Sequence, residues 1–482
     1  MKRCISILLL FSTIVSTAAC GTGGTGDDTT TVDTTIPADT TAPPSRVSSL
    51  PDEYDLEGYN FRVIRQDPAN IAWSLNIFGT EEENGDNLND VVHRRNVAVM
   101  EKYNFTIEET ITAADPKSNL INAVMSGEDL YDIALITLNN SSGLFDGVTL
   151  DVTTVPNLDL DAGWWNQGMI RDLSISGKLF MLTGDILLSD NDSMLMMMYN
   201  RPMADEYNME NLYDIVREGK WTYDKMNDMM KLVTADLNAD GKEDVNDRYG
   251  LLYVNNSAIE PYFASAGAYL FRFENGEPVF TGNSERAISI FETMQTIYNT
   301  DFLAYDWNDM GSTAGQQIVT MIDDDRVLFQ NMVLSFVRRF FRDVENNFGL
   351  VPRPKLDESQ ETYSTLISLA TPYIFIPATV SEPEKTGFVL EALAFASEEV
   401  TETYYSVCME SKYTRDEESY EMIKLAQQNI IYDPGFVYNW GSLGSNIRTA
   451  VMGSSQNYAS LLASFESAAK AAAEKFVEEI AE

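Results

Sequence analysis

The sequence predicts an α/β fold of two lobes. Strand-like segments alternate with helix-like segments along most of the 482 residues, which is typical of α/β proteins. The chain is also too long for one ordinary core, so two lobes or domains are expected. Two apolar strand-like runs, at residues 186–200 and 371–377, are the segments that we expect to cross between the lobes.

The two crossing runs and the composition together predict how the chain is divided. The apolar fraction of 44% is that of a globular protein, so most of the chain is expected to fold. The predicted division is a signal peptide at 1–19, a disordered tether at 20–55, a first lobe at 56–185 and 318–370, and a second lobe at 186–317 and 371–482.

The N-terminus has the pattern of an export signal. Lys2 and Arg3 precede an apolar stretch, residues 5–15, that is too short to remain as a membrane span. Residues 21–53 are rich in Gly, Thr, Asp and Pro and have almost no large apolar side chains, which predicts a disordered tether. The folded part is therefore expected outside the cell, held away from a membrane.

Residues 17–20, Thr-Ala-Ala-Cys, resemble a bacterial lipobox. The lipobox cysteine is lipidated, so Cys20 is the predicted lipidation site and the protein is expected at the outer face of the bacterial cytoplasmic membrane. Ordinary secretory cleavage after Ala19 is the alternative. No disulfide is expected, because Cys4 leaves with the signal and Cys408 is predicted to be a small buried hydrophobic residue.

The composition excludes several classes of function. With 74 acidic and 33 basic residues the formal net charge is −41, so nucleic acid is not an expected partner, because phosphate binding needs clustered Lys and Arg. An acidic surface suits a neutral or cationic ligand. His93 is the only histidine, which excludes a Ser-His-Asp triad, a Cys-His dyad and a multi-histidine zinc site.

The folded sequence begins with the strand-like run FRVIR, which is followed by a predicted helix. Leu88, Val92, Val99 and Tyr103 share one face of that helix. A second short strand follows it, and a further helix leads to the buried strand YDIALIT. This order is the expected start of the first lobe.

Two loops of this region carry candidate ligand contacts. Trp73 lies in the polar, acidic loop after the first strand. Asn139 and Asn140 follow YDIALIT, and polar loops after the carboxyl ends of strands are where open α/β sheets bind ligands. A plain surface turn is the alternative. The pair Trp164 and Trp165 is expected to pack or to form a hinge.

A helix and an acidic loop follow in residues 221–252. Thr222 is the predicted N-cap of the helix. One buried face is predicted by the spacing of Met226, Met229, Met230 and Val233. The segment DLNADGKEDVND comes next, and it has the spacing of a calcium-binding loop.

The predicted calcium site is structural. Gly241 stands where such a loop needs its sharp turn, and Lys242 offers a backbone carbonyl. The predicted ligands are Asp236, Asn238, Asp240, Lys242, Asp244 and Asp247. The last of them replaces the usual Glu, so weaker binding is expected. A solvated acidic turn without metal is the alternative.

The second half of the chain continues the alternation. A helix in residues 284–300 is predicted with Ile288, Phe291, Gln295 and Tyr298 in register. DDDRVLFQNM, FGLVPRP and TPYIFIP predict strands, and one long amphipathic helix ends the chain.

Four segments, in this order, resemble the maltose-binding-protein-like extracellular solute-binding family 1: GDNLNDVVHRRNVAVMEKYNFTI, EPYFASAGAYLFRFENG, DDDRVLFQNM and PGFVYNWGSLGSNIRTAV. The resemblance covers about residues 57–482. It implies a two-lobed, type II periplasmic-binding-protein-like fold with a ligand cleft between the lobes. It also implies a lipoprotein that captures a carbohydrate, expected to be an oligosaccharide, in that cleft for an ABC importer permease. It also implies a monomer that is not an enzyme.

The resemblance further implies ligand-binding residues. Tyr262 matches a sugar-contacting tyrosine of the family, and Trp440 matches a sugar-stacking tryptophan. Asn331 and Met332 fall in the turn that carries another aromatic contact in the family. That aromatic is missing here, and the pair at 264–265 is smaller than in the family, so a different sugar or a smaller contact surface is implied.

Two other classes of function stay open. An extracellular glycosidase or lyase is one, because acidic residues are abundant, although no spacing singles out a catalytic carboxylate pair. A calcium-stabilised surface adhesin is the other. Turnover of a glycan would indicate the enzyme, whereas stoichiometric binding with domain closure would indicate the transport component.

Overall fold

The structure, a computed structural model, describes residues 46–71, 73–75, 78–80, 82–254, 259–453 and 457–481. The predicted signal peptide, Cys4, the lipidation site Cys20 and most of the tether lie outside the described residues, as does the side chain of Cys408. Ser48–Glu482 form one compact unit, and the other unit, Met1–Val47, lies almost wholly outside the described residues. Among the described helices, none has the length and apolar character needed to span a membrane.

The described strands form a four-stranded sheet, a five-stranded sheet and a two-stranded ribbon. They are β1 Tyr59–Gln66, β2 Phe105–Thr112, β3 Ile133–Thr137, β4 Leu195–Asn200, β5 Tyr249–Tyr253, β6 Phe271–Glu274, β7 Glu277–Phe280, β8 Ala304–Asp306, β9 Val327–Val333, β10 Phe348–Val351 and β11 Pro372–Phe375.

Helices separate and follow these strands. They are α1 Asn87–Tyr103, α2 Lys117–Met125, α3 Gln167–Leu173, α4 Leu188–Asp192, α5 Arg201–Glu206, α6 Leu212–Arg217, α7 Tyr223–Val233, α8 Glu260–Ser265, α9 Glu285–Tyr298, α10 Ala314–Asp323, α11 Pro383–Phe395, α12 Glu398–Glu402, α13 Glu417–Gln427, α14 Pro434–Val437, α15 Leu443–Met452 and α16 Tyr458–Ala481.

The first sheet has the strand order β11-β3-β1-β2. β1 pairs in parallel with β2 and β3, and β11 runs antiparallel to β3. The central strand β3 is buried along its length, whereas the edge strand β2 has mostly exposed or half-buried residues. The helix α1 begins at Asp86, whose carboxylate accepts the backbone N–H of Leu88. Leu88, Val92, Val99 and Tyr103 are all buried, so the predicted face of this helix is confirmed.

The second sheet has the order β10-β4-β9-β5-β8. β4 runs antiparallel to both of its neighbours, β9 and β10, and every residue of β4 is buried. β5 pairs in parallel with β8 and β9. The methionines at 196–198 therefore pack in the core, as their apolar run predicts.

The strand pairing corrects the predicted division between the lobes. The prediction places 318–370 in the first lobe, but β9 and β10 pair within the second sheet. It places 371–482 in the second lobe, but β11 pairs with β3 in the first sheet. The two crossing runs themselves are at the predicted positions, since β4 opens the second sheet and β11 completes the first. The error arises because an apolar run in the sequence indicates that a strand is buried, but it does not indicate which strand it pairs with. The other boundaries stay predictions.

Two helices test the predicted apolar faces. α7 begins as expected, because Thr222 Oγ1 accepts the N–H of Lys225 at 3.3 Å. Its buried residues include Met226, Met229, Met230 and Val233, as predicted. In α9 the predicted register is wrong by part of a turn: Ile288 is 37% exposed, while Ile290 and Phe291 are buried.

Trp164 and Trp165 are buried beside one carboxylate, which confirms a packing role for this pair. Glu391, on α11, accepts the indole N–H of Trp164 at 3.1 Å and that of Trp165 at 3.0 Å. It also accepts the backbone N–H of Asp159 at 3.2 Å. Burial raises the pKa of Glu391, and the three donors oppose that rise. This carboxylate therefore ties α11 to the segment before α3.

We expect Glu391→Ala to lower the free energy of unfolding by about 3 kcal/mol or more. The substitution removes the carboxylate that accepts two buried indole N–H groups, and each such loss costs about 1–3 kcal/mol. Glu391→Gln keeps one acceptor oxygen and should fall in between. Urea unfolding measures the effect. The exposed Glu384 on the same helix gives the control, since Glu384→Ala should change stability by less than about 0.5 kcal/mol. An equally small change at Glu391 would contradict the proposed tie.

Candidate functional site

Two adjoining cavities lie where loops of the first sheet meet residues of the second. Cavity A has a volume of about 380 Å³ and cavity B of about 260 Å³. Asn139, Leu195, Ser368 and Ala370 line both cavities, so we treat the two together as one cleft. Cavity A alone falls in the range of about 300–1,000 Å³ that is typical of small-molecule sites.

The wall shared by the two cavities is made by the crossing run at 186–200, the segment just before β11 and the residues after β3. The N–H of Leu195, at the start of β4, donates to the carbonyl of Leu366 at 3.1 Å. The N–H of Asn139, just after β3, donates to the carbonyl of Leu369 at 2.8 Å. Because both crossings and the end of β3 are joined by backbone hydrogen bonds, the cleft lies at the hinge region between the sheets.

A third cavity, of about 490 Å³, contains arginines that are already engaged. Arg171 pairs with Asp172 at 2.7 Å, and Arg286 pairs with Asp357 at 3.2 Å. Arg272 lies over the ring of Tyr269. This cavity is larger than either part of the cleft, but neither Leu195 nor Asn139 lines it. We therefore place the candidate site in the cleft.

Two tryptophans line cavity A. Trp73 is 41% exposed, and its indole N–H donates to the carbonyl of Ala370 at 2.9 Å. That bond fixes the ring while leaving much of it accessible. Trp307 follows β8 and packs against Phe336 and Phe340, with ring centroids 5.1 and 5.5 Å away. The cavity therefore has aromatic surfaces contributed from the regions of both sheets.

Asn331 and Arg353 form the polar part of cavity A. Arg353 is 1% exposed, and its Nη1 donates to Oδ1 of Asn331 at 2.8 Å. The amide of Asn331 also donates to the hydroxyl of Tyr262 at 3.4 Å. The guanidinium of Arg353 lies 4.5 Å from the centroid of the Tyr262 ring. Nε and Nη2 of Arg353 have no hydrogen-bond partner among the described residues.

Three tyrosines cluster beside Arg353. Tyr262 stacks on Tyr223, with centroids 5.0 Å apart, and meets Tyr298 edge-on at 5.8 Å. Burial raises the pKa of Tyr223 to about 12 and raises that of Tyr298 well above its ordinary value, with Arg353 opposing both shifts. These two phenols are therefore uncharged near neutral pH, and they do not neutralise the arginine.

Cavity B contains an ion pair and a constrained turn. Arg448 donates to Glu260, although Oε2 of Glu260 and Nε of Arg448 have no partner among the described residues. Asn439 lines the cavity with a φ of 47°, and the nearby Gly441 has a φ of 59°. A Cβ on Gly441 would lie 2.6 Å from the backbone nitrogen of Ala469 in α16, so only glycine fits there. The turn thus holds Asn439 at the cleft.

The cleft contains three of the predicted ligand residues. Trp73 and Asn331 line cavity A, and Asn139 lines both cavities. Asn140 is half-buried and lines neither cavity. Contact of the three residues with a ligand stays a prediction.

The structure corrects the roles of Tyr262 and Trp440. Tyr262 is 0% exposed, so it supports Asn331 and Arg353 from behind and offers no open face to a ligand. Trp440 is 5% exposed and stacks on Tyr438, with its edge against Phe271. Both rings are core residues here, because Tyr223 and Tyr298 pack against Tyr262, and Phe476 of α16 packs against Trp440 with ring centroids 5.5 Å apart.

Sequence reasoning missed most of the cleft lining, including Trp307, Arg353, Glu260 and Arg448. Glu260 stands in the quoted segment EPYFASAGAYLFRFENG and Arg353 in FGLVPRP, so the signal was present as a charged residue beside an apolar run. Burial of a charged side chain marks a functional candidate, but the sequence does not show that burial.

The predicted calcium loop is ordered around its first residue. Asp236 accepts the N–H of Ala239 at 2.6 Å and that of Gly241 at 2.9 Å, and Gly241 has a φ of 70°. Asp247 is fully buried and accepts the N–H groups of Leu237 and Asp244, each at 3.1 Å. No three His, Cys, Asp or Glu side chains of the described chain come together as a metal-binding group. Calcium binding therefore stays a prediction.

The chain resembles solved structures of sugar-binding proteins at low identity. It is similar to an ABC substrate-binding protein from Listeria monocytogenes in complex with cycloalternan, with a TM-score of 0.56, 13% identity and coverage of 86% of this chain and 99% of that one. For the galacto-N-biose-/lacto-N-biose I-binding protein from Bifidobacterium longum, the TM-score is 0.56, the identity 13% and the coverage 87% and 98%.

An extracellular solute-binding protein from Staphylococcus aureus in complex with maltose gives a TM-score of 0.54 at 10% identity, covering 88% of this chain and 97% of that one. The sequence matches no protein-family model and no curated protein. At these identities the likeness shows the fold. The chain therefore has the two-lobed α/β fold of the maltose-binding-protein type.

Proposed function

We propose that this protein is the substrate-binding component of an ABC importer, which captures an oligosaccharide in the cleft and delivers it to a membrane permease. The observation that carries the proposal is the fixed, accessible ring of Trp73 in a cavity that also contains Trp307. The solved structures of this fold that are named above bind sugars. Two of them are substrate-binding proteins of ABC transporters.

The chemistry of the cleft suits a sugar. Aromatic faces pack against the C–H faces of a sugar ring, and Trp73 and Trp307 supply such faces. The hydroxyl groups of a sugar need hydrogen-bond partners, which Asn139, Asn331 and Arg353 supply. Rotation of the two sheets about the crossing segments would close the cleft on its ligand.

A binding role is better supported than a glycosidase. Hydrolysis of a glycosidic bond normally uses two carboxyl groups that flank it. Among the described residues that line the cleft, Glu260 is the one acidic residue, and it is held by Arg448. We therefore infer that the cleft binds its ligand without reaction.

The aromatic faces of cavity A give the first test of this proposal. We expect Trp73→Ala and Trp307→Ala each to weaken oligosaccharide binding about thirtyfold, or about 2 kcal/mol, because a well-packed aromatic anchor is lost. Titration calorimetry with di- to tetrasaccharides, neutral and uronate-containing, measures the affinity. The matched control is Tyr54, which is 37% exposed and lies outside the cleft, so Tyr54→Ala should leave affinity unchanged. Equal affinities in all variants would remove cavity A as the site.

We propose that Cys20 carries the lipid that anchors the protein to the outer face of the cytoplasmic membrane. Its support is the short apolar stretch before residues 17–20. Metabolic labelling with a fatty-acid analogue, followed by gel fluorescence, should mark the wild type and not Cys20→Ala. Cys408→Ala is the control, and it should label like the wild type. Label that persists in Cys20→Ala would contradict the anchor.

We propose that the loop from Asp236 to Asp247 holds a structural calcium ion. Its support is the set of oxygen side chains and the turn at Gly241. Calcium at about 100 times its dissociation constant should stabilise the protein by about 2.7 kcal/mol, so chelation should lower the melting temperature. The double variant Asp236→Ala/Asp240→Ala should lose this response.

Two exposed acids of α7 give a charge-matched control for the calcium test. Asp224→Ala/Asp228→Ala removes the same two charges outside the loop and should keep the response to chelation. A melting temperature of the wild type that is the same in calcium and in chelator would argue for a plain acidic turn.

A further inference from the structure

The cleft contains a buried cation that no described carboxylate neutralises. Arg353 is 1% exposed, and one of its nitrogens donates to Asn331. The other two nitrogens have no hydrogen-bond partner in the part of the chain that the structure describes. Arg338, a few residues before β10, shows the usual arrangement, because it pairs with the buried Asp192 at 2.9 Å. A buried charge without such a partner is costly, so a ligand group is the expected partner of Arg353.

The lining of cavity A is positive in a strongly negative molecule. Although 74 of the 482 residues are acidic, none of the described residues that line this cavity is acidic. Two arginines line it, Arg353 and Arg339. Arg339 is half-buried with its guanidinium 4.7 Å from the ring centroid of Phe340, and burial, with Arg338 beside it, lowers the pKa of Arg339. An anion in cavity A would stabilise both charges.

The free edge of Arg353 indicates which anion fits. Nη1 is occupied by Asn331, whereas Nε and Nη2 are unpaired and fully buried beside Tyr223, so the side chains over them must shift before a ligand reaches them. These two nitrogens lie on one edge of the planar guanidinium and point their N–H groups in the same direction. Two parallel donors of this kind match the two oxygens of a carboxylate in a bidentate pair. A single sugar hydroxyl would engage one donor and leave the charge unpaired.

We infer that cavity A binds a carboxylate, and that the ligand is an oligosaccharide bearing a uronic acid, selected by Arg353. The inference rests on the proposed function and narrows its substrate class. It also reverses the expectation of a neutral or cationic ligand that the net charge of −41 suggests. Surface charges are screened beyond about 8–10 Å and act on the approach of the ligand, whereas a carboxylate in the cavity meets a desolvated guanidinium at contact distance.

The test compares acids with neutral compounds of the same skeleton. Trisaccharides ending in galacturonate, glucuronate or mannuronate are titrated into the full folded domain beside their methyl esters, their sulfate-ester counterparts and neutral hexose trisaccharides. At least one acid should bind the wild type about thirtyfold more tightly than its ester. Arg353→Met should remove that difference, and Arg353→Lys should restore only part of it, because an ammonium lacks the fork. Arg415→Met removes one exposed charge outside the cavity and should change nothing.

Each outcome decides a different statement. Esters that bind as tightly as the acids, or unchanged acid binding in folded Arg353→Met, would overturn the inference and leave the proposed function standing. Tighter binding of the sulfate esters would overturn the choice of a carboxylate. Failure of every acidic and neutral compound to bind would overturn the proposed function itself. If Arg353→Met does not fold, two other measurements test the inference. The wild type should bind an acid more tightly than its ester, and Arg339→Met should reduce that preference; the absence of both effects would overturn the inference.

Discussion

The arrangement of the site depends on backbone pairing between the two segments that cross from one sheet to the other. Leu195, at the start of β4, is hydrogen-bonded to Leu366, in the segment just before β11. The same segment is hydrogen-bonded to Asn139, just after β3. Every backbone N–H and C=O in such a buried region needs a partner, so these segments are fixed together. The residues they expose become the wall common to both cavities, and the other cleft residues are arranged around that wall.

A second layer determines what the cleft can recognise. Tyr262 and Tyr223 stack behind the cavity, and Tyr262 contacts both Asn331 and the guanidinium of Arg353. The ring of Tyr262 is buried and therefore offers no open face. Instead it holds the polar groups of Asn331 and Arg353 at the cavity wall. The accessible aromatic surface is supplied instead by Trp73 and Trp307. Because Tyr262 is buried, the accessible aromatic surface of the cleft lies at other positions of the chain.

Local pattern was sufficient to predict much of the fold, whereas pairing and burial were not predictable from it. The capped face of α7 and the two crossing runs were right, because cap residues and apolar spacing are local signals. The placement of β9 and β10 was wrong, because partners are chosen over long sequence distances. The register of α9 failed at Ile288, because this apolar residue lies beside the buried stripe and not within it. In the cleft, Trp73, Asn139 and Asn331 were found, but buried Arg353 was not.

The sign of the charge in cavity A shows why overall composition is a poor guide to a binding site. A net charge of −41 is spread over the whole molecule and is screened by salt within a few Debye lengths. The field inside a narrow, partly dry cavity is set by the few charges that line it, because the effective dielectric constant there is lower than in water. Arg353 and Arg339 are two such charges, and the described lining has no acid to oppose them. Recognition at short range can therefore favour an anion even where the distant surface repels it. The repulsion lowers the association rate, and the close ion pair lowers the dissociation rate.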